Sequence, residues 1–473
     1  MELSIGKIID ALDCEVALEP ADRGLVVRDI TWDSRKVAAQ GAFLAMVGEK
    51  VDGNSFIPAA VESGASLVIA TKDPEAAALD AAKATGAAIA VVPEPIEAMS
   101  ALARLQRDEL DCRVIGVTGS SGKTTTKDLI ATVMSARFAT VATAANQNNE
   151  LGVPATVLNA NASTEALIVE MGMRGFHQIE GLCAFVRPNI GVITNIGVAH
   201  EELLGSQDNI AKAKSELISA LPDGEGIAIL NGDDPFTPRV MEVSAAKERG
   251  IEALLYGQSE GCDVRAENVS FTEEGQPSFD IVLPDGSRSR ASLSIMGAHN
   301  VGNSLAAAAV GFACGMDVET ICTALATAQS GHMRQEVVYA QCGAKIINDA
   351  YNANPDSASA ALRLLAIMAA EGRKIAVLGD MLELGPNAPA LHRGVGELAA
   401  SLGIDMVVAV GELAANIAQG ARETAGESID VLEFSDAEAA AEGLKGIVAS
   451  KDLVLLKASR GMELEKIAKG LVD

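Results

Sequence analysis

The chain has 473 residues, with 37 basic and 64 acidic side chains giving a formal net charge of −27, and such a field repels nucleic acid and anionic membranes. Hydrophobic residues at 49% and charged residues at 21% are ordinary for globular protein and long enough for about three domains, and no apolar run reaches the roughly 18–20 residues of a membrane span. The seven cysteines form no C-x-x-C pair, which argues against a zinc site or disulfide framework and for free thiols in a reducing cytoplasm.

In chain order, the start MELSIGKIIDALDCE lacks a basic stretch followed by an apolar core, so no signal peptide is expected. Residues 1–110 mix short strands and helices, closing on the helical pattern IEAMSALARLQRDEL at 96–110. At 113–118 the β-branched run RVIGVT predicts a strand that stops at a Gly/Ser turn, with the helix KTTTKDLIATVMSA behind it. ALIVEM from residue 166, NIGVITN from 189 and GIAILN from 226 repeat the strand signal. Helical stretches lie between several of these runs, and strands alternating with helices predict a parallel, doubly wound sheet. Residues 260–295 differ, because polar alternation with the turns EEGQPS and LPDGS predicts antiparallel strands; the Ala-rich helix HNVGNSLAAAAVGFACG follows. From about residue 331 a second series opens, with strands AKIIND, KIAVLGD, DMVVAVG and DLVLLKA. The expected fold is α/β in three domains. A small mixed α/β N-terminal domain occupies 1–110. A central P-loop domain, a doubly wound sheet with an added antiparallel part, occupies 111–331, and a C-terminal Rossmann-like domain occupies 332–473.

The strongest local signal is IGVTGSSGKTTTKDLI. Gly119 and Gly122 reach backbone angles closed to other residues, successive N–H groups of such a loop bind phosphate oxygens, and the following helix adds its positive end. Lys123 is placed to reach the β/γ phosphates and the Thr124 hydroxyl to sit on Mg²⁺. Val117 stands where the usual P-loop has its first glycine, so only the core G-x-x-G-K-T is kept. Glu170 ends one predicted strand and His200 follows another. Ligands of open α/β sheets bind at such carboxyl ends, where a carboxylate and a neutral imidazole suit metal binding.

The strings WDSRKV, TGSSGKTTT, NNELGVPATVL, VEMGMRG, NIGVAHEELLGSQDNIAKAKSEL, MGAHNVGN, NDAYNANPDS, VLGDMLELG and VLLKASRGME, in this order from about residue 31 to 465, resemble the Mur ligases. The resemblance implies a uridine-nucleotide domain, an ATPase domain and a third domain that closes over ATP. It also implies ligation of D-alanyl-D-alanine to UDP-N-acetylmuramoyl-tripeptide through an acyl phosphate, with two Mg²⁺ ions, in a cytoplasmic monomer that neither binds nucleic acid nor inserts into membrane. Residue by residue, the resemblance assigns Thr118, Gly119, Ser120, Ser121, Gly122, Lys123 and Thr124 to the phosphates. Glu170 and His200 match metal ligands, and Lys214 matches the lysine that the family carbamylates. Asn300, Asn303, Arg334 and Asp349 match groups that contact ATP. Ser34 and Arg35 match the uridine-nucleotide motif, and Asn148 and Asn149 the muramoyl contacts. Asp380, Glu383, Lys457, Ser459 and Arg460 belong to third-domain motifs and are assigned to substrate. Asp52-Gly53-Asn54 departs from the family's D-G-H, and Lys457-Ala458-Ser459-Arg460 from its K-G-S-R.

The residues alone leave plainer readings open. The asparagines also suit helix caps, Asp380 a strand-end turn, Arg334 an ion pair, and Lys214 a helix-edge lysine with its amine in water. Two rival activities lack their signatures. A sister ligase for free diaminopimelate would carry D-N-P-R, and a guanine-nucleotide switch would carry N-K-x-D; neither string occurs.

Overall fold

A computed structural model describes residues 1–48, 51–198, 201–331 and 333–472. The chain separates into two compact units, one made of Met1–Gly116, Phe138–Gly172 and Ile179–Ile190, the other of Val117–Arg137, Met173–Gln178 and Gly191–Asp473.

The first unit carries a five-stranded sheet in the order Glu15–Leu18, Ala88–Val91, Ala65–Ala70, Gly41–Leu44, Ile30–Thr31. The first pairing is antiparallel and the others are parallel. Strand alternation splits its apolar residues between two cores. Phe43, Val68 and Ile89 fall in one cluster, and Leu44, Leu67 and Ile69 in the other with Met99 and Leu102. Those last two come from the helix Pro95–Asp108, which buries Ala98, Met99, Leu102, Ala103 and Gln106 along one stripe. The same unit holds Thr140–Ala142, paired in parallel with Ala166–Glu170.

In the second unit Ile227–Asn231, Glu252–Gly257 and Val264–Phe271 pair in parallel, and Pro277–Val282 and Arg288–Ser292 add on antiparallel. This is the antiparallel part expected at 260–295. The helix Lys123–Ser135 packs against His299–Ala313, where a methyl added at Gly311 would sit 3.0 Å from a side-chain carbon of Val133. Six further strands form a sheet in the order Glu336–Tyr339, Lys345–Asn348, Leu453–Lys457, Lys374–Gly379, Met406–Val410, Asp430–Phe434. Only the first pairing is antiparallel. The four inner strands are those expected from sequence. Both edge strands were not anticipated: EVVY is half exposed and DVLEF carries two acids, so neither shows the continuous apolar run of a strand buried on both faces. The α/β class with parallel sheets and an antiparallel extension is borne out.

Candidate functional site

The glycines of the phosphate loop are required by what surrounds them. Gly122 sits at φ +76°, and a methyl added there would come within 2.8 Å of Asn303 Oδ1. At Gly119 it would fall on Thr194 Oγ1. The loop is held from behind by residues at the end of the strand Ile190–Ile193. Ser121 N donates to Asn195 Oδ1 (2.9 Å), and the Ser121 carbonyl accepts from Asn195 Nδ2 (3.1 Å) and Thr194 Oγ1 (2.6 Å). The Thr194 carbonyl in turn accepts from Asn231 Nδ2 and from the buried Tyr256 hydroxyl, each at 3.1 Å. Gly197 N donates to Ser120 Oγ at 2.8 Å. Loop geometry is thus fixed by side chains of the neighbouring strands, which also line the cavity in front of it.

Lys123 Nζ donates to the carbonyls of Gly119 (2.8 Å) and Ser120 (3.4 Å). In front of the loop lies a cavity of about 370 Å³ whose lining includes Gly122, Asn303, Tyr256, Arg334, Asp349 and Lys457, a size usual for small-molecule sites. Arg334 Nη2 donates to Thr124 Oγ1 (3.2 Å), and its guanidinium lies 4.4 Å over the Tyr351 ring. Lys457 Nζ is 2.7 Å from Asp349 Oδ2 and donates to the Asn352 carbonyl at 2.8 Å. Asn300 donates to Met296 O (2.6 Å) and accepts from Asn303 Nδ2 (2.9 Å). The six-stranded sheet thus delivers Arg334, Asp349 and Lys457 to the same cavity as the phosphate loop. Lys457, assigned from sequence to substrate, stands beside Asp349.

The helix Gln207–Ser219 starts on a Ser206 cap and buries Ile210, Ala211, Ala213, Lys214, Leu217 and Ile218. Lys212 points outward to Asp208 at 2.8 Å. Lys214 is 2% exposed. Burial pushes its ammonium well below the usual lysine range, and the positive charge of Lys123 adds to the effect. No hydrogen bond or ion pair holds its amine among the described residues. His200 lies outside the described residues.

In the first unit, Glu170 is fully buried at the end of its strand and accepts from Asn148 Nδ2 at 2.7 Å. Asn149 Oδ1 accepts from Gly152 N at 2.9 Å, a capping contact at the start of Gly152–Leu158. Ser34 and Arg35 form one short 3-10 turn, where the Arg35 guanidinium grips Asp33 at 2.8 and 2.9 Å. That hydrogen bonding holds the Asp33 carboxyl at about 2. Asn54, where the family pattern has His, donates to Thr71 Oγ1 and accepts from Thr71 N. It therefore ties its turn to the next strand.

The remaining third-domain residues make their contacts away from the cavity. Asp380 Oδ1 accepts from Ala414 N at 2.7 Å, Ser459 Oγ accepts from Leu382 N at 2.9 Å, Arg460 pairs with Glu465, and Glu383 sits at φ +63°. None of these four lines the cavity. Asn195, Asn231, Tyr256 and Asn354 were not anticipated. For Asn195 a signal was present, since it ends the strand string NIGVITN at the edge where such sheets bind ligands.

Family models agree with this arrangement. That of the Mur ligase family, catalytic domain, matches residues 26–107, that of the Mur ligase middle domain 117–311, and that of the Mur ligase, glutamate ligase domain, 333–460. The UDP-N-acetylmuramoyl-tripeptide–D-alanyl-D-alanine ligase of Bacillus subtilis (strain 168) is 36% identical over 452 residues, 95% of this chain and 94% of its own. The protein of the same name from Escherichia coli (strain K12) is 31% identical over 477 residues, 100% of this chain and 99% of its own. Among solved structures, MurF from Acinetobacter baumannii superposes with a TM-score of 0.86 at 29% identity, covering 100% of this chain and 99% of that one. The MurF ligase from Thermotoga maritima in complex with ADP gives 0.78 at 28% identity, covering 94% and 97%.

Proposed function

The chain belongs to the Mur ligase family, and on that premise we propose that it is the ATP-dependent ligase joining D-alanyl-D-alanine to UDP-N-acetylmuramoyl-tripeptide, the step that gives the pentapeptide precursor of peptidoglycan. The observation that carries this reading is the shared cavity, where a phosphate loop meets Arg334, Asp349 and Lys457. The chain works as a cytoplasmic monomer in three domains, 1–110 for the uridine nucleotide, 111–331 for ATP and 332–473 closing over it.

A carboxylate is a poor electrophile, so the reaction starts by giving it a leaving group. An oxygen of the tripeptide's terminal carboxylate attacks the γ-phosphorus and the bond to the β-phosphate oxygen breaks, giving an acyl phosphate and ADP. The amine of D-alanyl-D-alanine then attacks the acyl carbon and loses a proton. The tetrahedral intermediate collapses with cleavage of the C–O bond, and inorganic phosphate leaves. Lys123 and Arg334 offset the charge of two anions brought together. Lys123 exchanges the neutral loop carbonyls it holds for phosphate oxygens, which form stronger, charge-assisted bonds. Asn300, Asn303 and Asp349 orient the nucleoside, with Lys457 fixing the Asp349 carboxylate. Ser34, Arg35, Asn148 and Asn149 bind the uridine-linked acceptor, and Asp380, Glu383, Ser459 and Arg460 shape the third domain's side of the substrate site.

Among the described residues no three His, Cys, Asp or Glu side chains gather as a metal cage. Mg²⁺ is commonly bound through one or two carboxylates plus substrate phosphates, and the hard oxygens of Thr124 and Glu170 suit it. Thr124, Glu170, His200 and a carbamylated Lys214 are the proposed ligands of two ions, which when bound would neutralise phosphate charge. Carbamylation itself needs only Lys214 as a neutral amine: its nitrogen adds to CO₂, a proton leaves, and a buried carboxylate results.

The test is phosphate release across a panel of amines and uridine-linked acceptors. Turnover should require UDP-N-acetylmuramoyl-tripeptide and D-alanyl-D-alanine together. Faster turnover with free diaminopimelate, lysine or glutamate would reassign the enzyme to a sister activity.

A further inference from the structure

Asn354 lies in the run NDAYNANPDS, at the N-cap of the helix Pro355–Ile367. Its Oδ1 accepts from Ser357 N at 2.8 Å, and Asn354 N in turn donates to Ser357 Oγ at 3.0 Å. That capping needs only an acceptor oxygen, which Ser, Thr or Asp supply about as well. The amide nitrogen is surplus to it. Asn354 Nδ2 donates to Ser121 Oγ at 2.9 Å, and Ser121 Oγ lies 3.2 Å from Asn354 Oδ1, across 233 residues of chain.

Ser121 sits at the tip of the phosphate loop, just before Gly122 and Lys123. Its backbone N–H and carbonyl are both taken by Asn195, with Thr194 adding a second bond to the carbonyl. Ser121 is therefore fixed to the central sheet by its backbone, and its hydroxyl is what the loop presents to the six-stranded sheet's side. One helical turn later Thr124 receives Arg334 from that same side.

We propose that Asn354 is a positioning residue that latches the six-stranded domain onto the phosphate loop through the Ser121 hydroxyl, so that Arg334, Asp349 and Lys457 come into register with the phosphates. The latch rests on the phosphate-loop reading of residues 118–124. An uncharged amide suits the place: a carboxylate would cap the helix equally well but would set an anion beside the phosphates.

Asn354→Ser separates latch from cap, since serine keeps the acceptor for Ser357 N but is too short to grip Ser121. The expected result is an unchanged Tm with kcat lowered roughly tenfold, as for misplaced catalytic groups. Asn354→Asp should also keep Tm, and should raise KM for ATP. Ser121→Ala, whose backbone bonds to Asn195 remain, should lose a similar factor. The double variant Asn354→Ser/Ser121→Ala should be no slower than the slower single variant, because both remove one interaction. Wild-type kcat in Asn354→Ser, or losses that multiply in the double variant, would overturn the latch. Lys123→Ala in the same assay tells the two ideas apart. If it keeps normal turnover, the phosphate-loop reading itself fails; if it is inactive while Asn354→Ser is normal, only the latch fails.

Discussion

Lys214 and Lys457 are buried to nearly the same depth, 2% and 5% exposed, yet they have opposite surroundings. Lys457 ends a central strand of the six-stranded sheet, with Asp349 at 2.7 Å and two carbonyls completing its shell. Lys214 lies on the apolar stripe of a helix, among Ile210, Ala211, Leu217 and Ile218. Burying a charge is costly unless it is paired, and the first lysine is paired with the Asp349 carboxylate. Burial pushes the ammonium of the second well below the usual lysine range, with Lys123 adding repulsion. One region pairs its lysine with a carboxylate; in the other, the proposed role is that of a nucleophile toward CO₂. Burial alone does not decide a lysine's chemistry, and the partner does.

The largest effect that tests this contrast is on activity. Lys214→Ala should lower kcat by about 10³-fold, the upper range for losing one preorganised electrostatic group. Acetate or formate should restore part of the rate by replacing the carbamate. Full activity in Lys214→Ala or Lys214→Arg would remove the anion from the account.

Stability should separate the same two lysines in the other direction. Lys457→Met leaves the Asp349 carboxylate without its cation and should cost about 3 kcal/mol, as for broken buried pairs. Lys214→Met swaps an unpaired amine for an apolar side chain of similar length, so it should be neutral or stabilising. Urea midpoints of the two variants measure this, and equal losses would erase the contrast.

Arg334→Ala tests the same contrast from the cavity side, because this cation leans on the Thr124 hydroxyl and the Tyr351 ring. The expectation is a fall in kcat of about 10²-fold with Tm unchanged. A near-normal rate would move Arg334 out of the phosphate-binding set.

A smaller, pH-dependent effect comes from a third buried base. His392 accepts from Met381 N at Nε2 (2.9 Å), and its Nδ1 meets the Ala388 carbonyl at 2.7 Å. Both contacts are made by the neutral ring, and burial pushes its pKa below the usual histidine value. Its contribution is fully present above about pH 6.5 and is lost as pH falls through the folded-state pKa, because the unfolded chain binds the proton first. Urea midpoints should therefore drop between pH 7.5 and 5.5, and His392→Phe should flatten that slope. An unchanged slope would show that other groups set the acid limit.

What was legible in the sequence follows the range of the interactions. The strand, loop and helix from 113 to 135 were readable, because β-branched residues, two glycines and a helix start are local signals. The stripe that buries Lys214 and leaves Lys212 at its edge follows from a period of 3.6. The edge strands Glu336–Tyr339 and Asp430–Phe434 were not readable, since half-exposed edges lack the apolar run of central strands. Nor was the pairing of Asn354 with Ser121, because a contact spanning 233 residues leaves no trace in spacing. The cap role of Asn149 and the pairing of Lys457 with Asp349 likewise depend on where backbone and partner arrive.

Reaction through an acyl phosphate is the claim on which every assigned role depends, and an oxygen label tests it most directly. UDP-N-acetylmuramoyl-tripeptide carrying ¹⁸O in both oxygens of its terminal carboxylate is turned over with ATP and D-alanyl-D-alanine, and the released phosphate is weighed by mass spectrometry. One ¹⁸O is expected in each phosphate, carried over when the acyl C–O bond breaks. Phosphate free of label would contradict it.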